Sequence, residues 1–361
     1  MTPFTYSRAG NGADALAQLG IDTGSARADG SGRFIAGGTN LLDLMKENVL
    51  RPARLVDING LPGLDTIETT PDGGLRLGAL ARNADTAYHP LVRAQYPLVT
   101  AALLAGASPQ IRNLATNGGN LLQRTRCVYF YDVGVPCNKR EPGSGCPARA
   151  SLARQHAILG ASEHCIATHP SDLCVALAAL EAVVQVRSPR GTRAIAFADL
   201  HRLPGDHPEQ DTTLQPDELI EHITLPPAQG FAGHSVYIKV RERASYAFAL
   251  VSAAALLDLD EGGRVRAARM ALGGVAHKPW RRAEAEALLV GQQTGGNSDS
   301  AAKAFAEAAA LMLDGARAQG EGPGSNAFKI PMARRALVRA LHEAVRGTIS
   351  NTGPDNQESA R

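Results

Sequence analysis

The sequence predicts an α+β protein, with sheets and helices grouped by segment rather than alternating along one parallel sheet. Three observations carry this. A small α/β unit opens the chain. The middle segment sets two strand-like runs against each other across Pro189-Arg190-Gly191. The last third reads as three strands and then two helices. With 361 residues, 44% hydrophobic and 20% charged, the chain has material for two or three domains and a sizeable core. A net charge of +2 gives no reason to expect nucleic acid or a membrane surface as partner. Aromatics at 4%, with the single Trp280, argue against base-stacking platforms. No apolar run reaches the ~18–20 residues of a membrane span, so no membrane insertion is expected. Met1–Arg8 has neither an apolar stretch nor a twin arginine and is not expected to be a signal peptide. The chain is then expected in the cytoplasm, or exported folded with a partner that carries the signal.

In the first segment, to about Gly60, a helix is expected near Gly12–Leu19 and a strand at Arg33–Ala36. Gly37-Gly38 break the pattern, and Thr39-Asn40 can cap a helix through Leu41–Lys46. Arg54–Ile58 reads as the next strand. The second segment, from about Leu61 to Pro227, starts with a strand at Leu75–Ala79 and helical stretches at His89–Arg93 and Leu98–Leu104. A glycine-rich turn and a cysteine loop follow, then a helix Ser171–Leu180 and strands Ala182–Arg187 and Thr192–Ala196. Leu225-Pro226-Pro227 and Gly230 mark a boundary. Beyond it lie strands Ser235–Val240, Leu250–Asp258 and Ala267–Leu272. Helices Ser300–Ala316 and Ala327–Arg346 come next, separated by Gly320–Ser325. The tail at 349–361 has nothing to bury and is expected to be disordered.

Two turns stand out. Ile35-Ala36-Gly37-Gly38-Thr39-Asn40 joins strand to helix, and Thr116-Asn117-Gly118-Gly119-Asn120 repeats adjacent glycines beside hydroxyl and amide side chains about 80 residues later. Without Cβ atoms, backbone amides can approach a ligand closely, and a helix start adds free donors suited to phosphate. Neither turn is a GxGxxG or a P-loop. Together they could grip two parts of an elongated, pyrophosphate-bearing cofactor, or they could simply be two unrelated turns.

Four of the five cysteines fall in one 39-residue window, spaced Cys127-x9-Cys137-x8-Cys146-x18-Cys165. This is neither a ferredoxin CxxCxxC nor a pair of CxxC zinc motifs. Pro136, Asn138, Pro142, Gly143, Ser144, Gly145 and Pro147 make the window a wrapped loop. Arg124, Arg126, Lys139 and Arg140 could offset the charge of thiolate ligands. Spacing alone leaves open structural zinc, two disulfides and a [4Fe–4S] cluster. Cys174, on an apolar helix face with Leu173, Leu177 and Leu180, reads as a buried small hydrophobe.

Taken together, Phe34–Leu41 and Ala115–Leu121 resemble the two FAD-pyrophosphate loops of molybdenum-hydroxylase flavoprotein subunits, the xanthine dehydrogenase and carbon monoxide dehydrogenase family. His169-Pro170-Ser171-Asp172 resembles that family's Ser-Asp site near the flavin. The likeness runs from about Phe4 to Gly347. Most members lack a cysteine loop. The branch that has one, in bacterial periplasmic aldehyde oxidoreductases and 4-hydroxybenzoyl-CoA reductases, holds a [4Fe–4S] cluster in it. Gln123–Tyr131, Pro136–Arg140 and Gly143–Cys146 are most similar to the aldehyde oxidoreductase branch.

The resemblance implies a two-lobed FAD-binding domain of the PCMH type over 1–227, with lobes 1–60 and 61–227 and a cluster-holding insertion at 124–166. A smaller sheet-plus-helix domain of the CO dehydrogenase flavoprotein type would span 228–348. It further implies that Arg33, Phe34, Ile35, Ala36, Gly37, Gly38, Thr39, Asn40 and Leu41 wrap the pyrophosphate. Ala107, Thr116, Gly119, Asn120 and Leu122 would line the flavin channel, and Ser171 and Asp172 would hydrogen-bond the cofactor. His169 would touch the flavin or begin the turn before Ser171. Leu219 and Ile220 would pack against the cofactor, and Lys239 would lie near the isoalloxazine ring. Cys127, Cys137, Cys146 and Cys165 would be the cluster ligands, and no catalytic residue is assigned. Partners would be a large molybdenum-cofactor subunit, a small [2Fe–2S] subunit and an external electron acceptor. The net reaction would convert an aldehyde and water to a carboxylic acid. Alternatives are a 4-hydroxybenzoyl-CoA reductase-type subunit, with electrons running the other way, a stand-alone FAD oxidase with a zinc loop, and a zinc-stabilised interaction module.

Overall fold

The computed structural model describes residues 1–19, 32–294 and 299–348. The tail expected to be disordered lies outside them. Three sheets organise the chain. Strands β1 (Thr5–Arg8), β2 (Gly32–Ile35) and β3 (Arg54–Asp57) form a parallel sheet in the order β1-β3-β2. Helices Gly12–Leu19 and Leu41–Lys46 follow β1 and β2, because parallel neighbours need crossover connections. Next come β4 (Ile67–Thr69), β5 (Leu75–Gly78), β6 (Val183–Ser188), β7 (Gly191–Ala196) and β8 (Leu219–Leu225). They pair antiparallel in the order β4-β5-β8-β6-β7. The third sheet orders β9 (Ser235–Val240), β10 (Val251–Leu259) and β11 (Val265–Gly273) as β11-β10-β9, antiparallel, with helices Asp299–Met312 and Lys329–Arg346 on one face.

The central strand β10 shows why the middle and last segments pack as one body. Residues 251–257 are all buried, and successive side chains point to opposite faces. Ala254 and Leu256 join the core under the five-stranded sheet, with Leu173 and Leu177 of the helix Asp172–Ala179 and Leu180 at its C-cap. Val251, Ala253, Ala255 and Leu257 join a second core with Phe305, Leu337 and Leu341. A strand buried on both faces reads as an unbroken apolar run rather than an alternation.

Three strands are absent from the sequence reading, the first being β1, whose four residues are too few to show a period. The short β4 carries no signal of its own. In β8 the register shifts where it meets Gln185 and Val186, so its apolar pattern breaks at Glu221-His222. The cysteine loop rests on the first lobe: Phe130 and Cys137 pack with Leu44 and Val49. No helix among the described residues is long and apolar enough to cross a membrane.

Candidate functional site

Geometry of the first turn follows from its two glycines. Gly38 has φ +71, a left-handed conformation that costs an L-residue about 1–2 kcal/mol. A Cβ on Gly37 would stand 2.0 Å from the Leu114 carbonyl oxygen, so this turn is pressed against the strand of chain that leads into the second. The amides of Gly37, Gly38, Thr39 and Asn40 make no hydrogen bond among the described residues. Asn40 sits at the helix N-cap without capping it. Its Oδ1 instead accepts from the Arg124 amide at 3.0 Å, and its buried Nδ2 has no partner. A run of free donors beside an orphaned amide nitrogen fits an anionic group such as a pyrophosphate.

In the second turn Thr116 does cap its helix, Asn117–Leu121, by accepting from the Gly119 amide at 3.2 Å. Buried amides lock it in place: Asn83 Nδ2 donates to Asn117 Oδ1 at 3.1 Å, and Asn120 Nδ2 to Asn83 Oδ1 at 2.8 Å. Ser171 Oγ donates to Asn120 Oδ1 at 2.6 Å and accepts from the Cys174 amide at 3.1 Å. One hydroxyl thereby caps the helix Asp172–Ala179 and ties it to the second turn.

Asp172 is the centre of a buried polar group. Tyr237 donates to its Oδ1 and Lys239 Nζ to its Oδ2, each at 2.7 Å. The Lys239 and Asp172 side chains are only 4% and 9% exposed. Lys239 and Arg241 also donate to the Ala105 carbonyl at 3.1 and 3.0 Å. Ala107, two residues on, takes φ +51 to turn the chain out of the helix Pro97–Ala105. Burial first, and the Asp172 charge second, push the Tyr237 hydroxyl well above its usual range, so it stays a donor. Tyr237 and Arg241 were missed in the sequence, although the i, i+2, i+4 spacing along β9 places both on the Lys239 face. Leu219 packs in the first lobe's core and Ile220 in the main core, while Leu122 is exposed.

His169 and His201 stack with ring centroids 4.3 Å apart. His169 Nδ1 accepts from the Ser171 amide and His201 Nε2 donates to the Leu121 carbonyl, which fixes both tautomers. One nitrogen of each ring lies in a group with the Cys174 sulfur whose members are within 4.8 Å of one another. His169 Nε2 and His201 Nδ1 are both buried with no hydrogen-bond partner, so the rings touch without a bond between them. Burial lowers both pKa values, that of His201 to about 4.

A cavity of about 190 Å³ brings His169, Ser171 and Asp172 together with Cys127 and His156 from the cysteine loop. Cys127 and His156 also line the neighbouring cavity, which holds Cys137, Cys146 and Cys165. All five cysteines are free, so the disulfide reading does not hold. Among the described residues no three of the four loop sulfurs lie within 4.8 Å of one another. A tetrahedral zinc with Zn–S of about 2.3 Å would draw them to about 3.8 Å apart. Burial pushes the Cys127 thiol up to about 12 and Cys165 to about 11, and raises Cys146 as well. These thiols are neutral until a cationic guest takes their protons' place.

Loop geometry is set by short bonds: Asn138 N to Gly145 O at 2.8 Å, Cys137 N to Ser144 Oγ at 2.9 Å, and Asn138 Nδ2 to His164 O at 3.0 Å. Of the four basic residues, Lys139 favours the Cys165 thiolate as the sequence suggests, but most of this charge also has other partners. Lys139 and Arg124 both pair with Asp211, at 2.5 and 2.7 Å, and Arg126 pairs with Asp43 at 2.6 Å. Three of the four charges are thus met by carboxylates. Burial alone would raise Asp211, but Arg124 and Lys139 overcome it and hold the carboxyl well below its usual range. Arg140 instead donates to the Tyr129 and Phe130 carbonyls.

Two glycine turns facing a Ser-capped helix, carried on a parallel lobe and an antiparallel lobe, define a flavin-binding redox subunit. The chain belongs to the family of FAD-binding subunits of molybdopterin dehydrogenases. Residues 2–228 match the FAD binding domain in molybdopterin dehydrogenase, and 236–344 match the CO dehydrogenase flavoprotein C-terminal domain. The aldehyde oxidoreductase FAD-binding subunit PaoB of Escherichia coli is 50% identical over 95% of this chain and 99% of its own length. The glyceraldehyde dehydrogenase medium chain of Sulfolobus acidocaldarius is 27% identical over 80% of this chain and 82% of its own. In fold, the chain is similar to a chain of reconstituted CO dehydrogenase from Oligotropha carboxidovorans, with a TM-score of 0.71 over 96% of this chain and all of that one, at 24% identity.

Proposed function

We propose that this chain is the FAD- and [4Fe–4S]-carrying electron-transfer subunit of a heterotrimeric molybdenum-dependent aldehyde oxidoreductase. The net reaction takes an aldehyde and water to a carboxylic acid, releasing two electrons and two protons. A large subunit would hold the molybdenum cofactor and a small one the [2Fe–2S] clusters. This chain would pass the electrons through FAD to an external acceptor. The flavin supplies an exchange between one- and two-electron chemistry. The reading is supported by the identity to PaoB along almost the whole length. The observation that carries it is the shared wall: four free cysteines line one cavity, and Cys127 and His156 separate it from the pocket bearing Ser171 and Asp172.

In this reading the free amides of Gly37–Asn40 hold the pyrophosphate and Asn40 Nδ2 adds a donor. Ser171 and Asp172 present polar atoms to the flavin from the helix start. Tyr237 and Lys239 hold the Asp172 carboxylate in one orientation, and Lys239 is charge-balanced before any cofactor arrives. Cys127, Cys137, Cys146 and Cys165 are spread too widely for one zinc ion, which favours a polynuclear cluster. Export in company with a signal-bearing partner, to the periplasm, is part of the proposal and is tested by cell fractionation. The direct test is iron, acid-labile sulfide, zinc and flavin content on one anaerobically isolated sample. Iron with sulfide and flavin is expected. Zinc in place of iron, or flavin alone, would leave only the flavoprotein part standing.

A further inference from the structure

We infer that His156 sets the reduction potential of the group in the cysteine cavity by donating its Nε2–H to the Cys127 sulfur. This rests on the cluster reading of that cavity. The His156 ring nitrogen lies 3.0 Å from Cys127 Sγ. Among the described residues it is the one side-chain donor within hydrogen-bond reach of any of the four loop sulfurs. The other donors near these sulfurs are backbone amides: Tyr129 and Phe130 at Cys127, Ala148, Arg149 and Ile166 at Cys146, and Ala167 at Cys165.

The ring is held rather than free. Its residue is 4% exposed. The His156 amide donates to Ala153 at 2.8 Å, and its carbonyl accepts from Asn326 Nδ2 at 3.0 Å and Lys329 Nζ at 2.7 Å. Lys329 itself is fully buried and also bonds the Gly274 carbonyl. The C-terminal helix therefore aims the imidazole from behind. Nδ1 is buried with no partner; a metal-bound thiolate can only accept, so beside it the neutral ring carries its one proton on Nε2.

A hydrogen bond to a ligand sulfur draws electron density off it and favours the more negative, reduced state. Such bonds are a recognised lever on cluster potentials. The position matters because His156 and Cys127 are the pair that lines both cavities. The residue that tunes the cluster thus stands on the flavin side of it, where the difference in potential between the two groups decides which one holds an electron.

The test is an EPR-monitored redox titration of the full chain, isolated anaerobically with its accompanying subunits, with iron and sulfide assayed on each sample. His156→Leu should keep its iron and titrate at a lower potential. His156→Gln, which keeps an N–H, should return most of the way. An unchanged potential in His156→Leu at full iron, or a Gln variant that shifts as far as Leu, would overturn the inference. If His156→Leu cannot assemble its cluster, hyperfine coupling from ¹⁵N-labelled histidine in the unaltered protein decides: coupling supports the bond, and its absence refutes it. Absence of iron and sulfide from the unaltered protein is a separate failure, of the cluster reading itself, and removes the inference with it.

Discussion

The flavin cradle and the cysteine loop share a wall but solve opposite problems. In the cradle the polar side chains satisfy one another: Asn83 with Asn117 and Asn120, Asn120 with Ser171, and Asp172 with Tyr237 and Lys239. In the loop the sulfurs have a few donors, His156 and backbone amides, but no charge partner as close as the one Lys239 gives Asp172, and burial raises the pKa values of Cys127, Cys146 and Cys165. A preformed cradle can wait for its cofactor. A pocket of desolvated thiols reaches its stable form only with a metal guest, because binding and ordering are one free-energy change.

The largest effect that would sharpen this contrast is on the cradle's buried ion pair. Lys239→Met leaves the Asp172 carboxylate buried with Tyr237 alone, and should cost about 3–5 kcal/mol. Chemical denaturation should show that loss together with lost flavin absorbance, while retained stability would mean Asp172 is not charge-dependent. Gly37→Val comes next. Its side chain would collide with the Leu114 backbone, not with a movable tip, so flavin should be lost at a cost on the order of 3 kcal/mol. Normal flavin content in that variant would dismiss the contact between the two turns.

Acid should act on the cradle through its two stacked histidines. His169 and His201 fold with pKa values below the unfolded value of about 6.5. The unfolded chain therefore binds more protons, and stability present above pH 6.5 is lost as pH falls through about 4 for His201. Thermal midpoints measured across that window should drop, and His201→Asn should flatten the slope. A slope unaltered by the substitution would place the titration elsewhere. On the loop side, Ser144→Ala removes the acceptor for the Cys137 amide and should cost about 1 kcal/mol. Its sign should be lower iron retention at unaltered flavin content, measured on the same sample. Equal loss of both would break the separation between the two regions.

Much of this was legible in the sequence because local rules decide it. Gly37-Gly38 after an apolar strand and Thr116 before Asn117-Gly118-Gly119 are signals of turn chemistry, and both turns are built as strand- or cap-to-helix junctions. The helix after Ser171 shows its cap in the sequence, and the structure bonds it. What stayed hidden depends on long-range pairing. Asp211 meets Arg124 and Lys139 from a loop about 70–90 residues away, and nothing local marks it. His156 is a lone histidine until Asn326 and Lys329, some 170 residues on, fix its backbone beside Cys127. β8 was obscured because its bulge breaks the period that would have announced it.

The central claim is that one chain carries two redox guests in adjoining, independently built pockets. Cys146→Ser tests it most directly, with iron, sulfide and flavin assayed together after anaerobic isolation. The account predicts loss of iron and sulfide with flavin still bound. Full iron in that variant, or flavin lost in step with the iron, would contradict it.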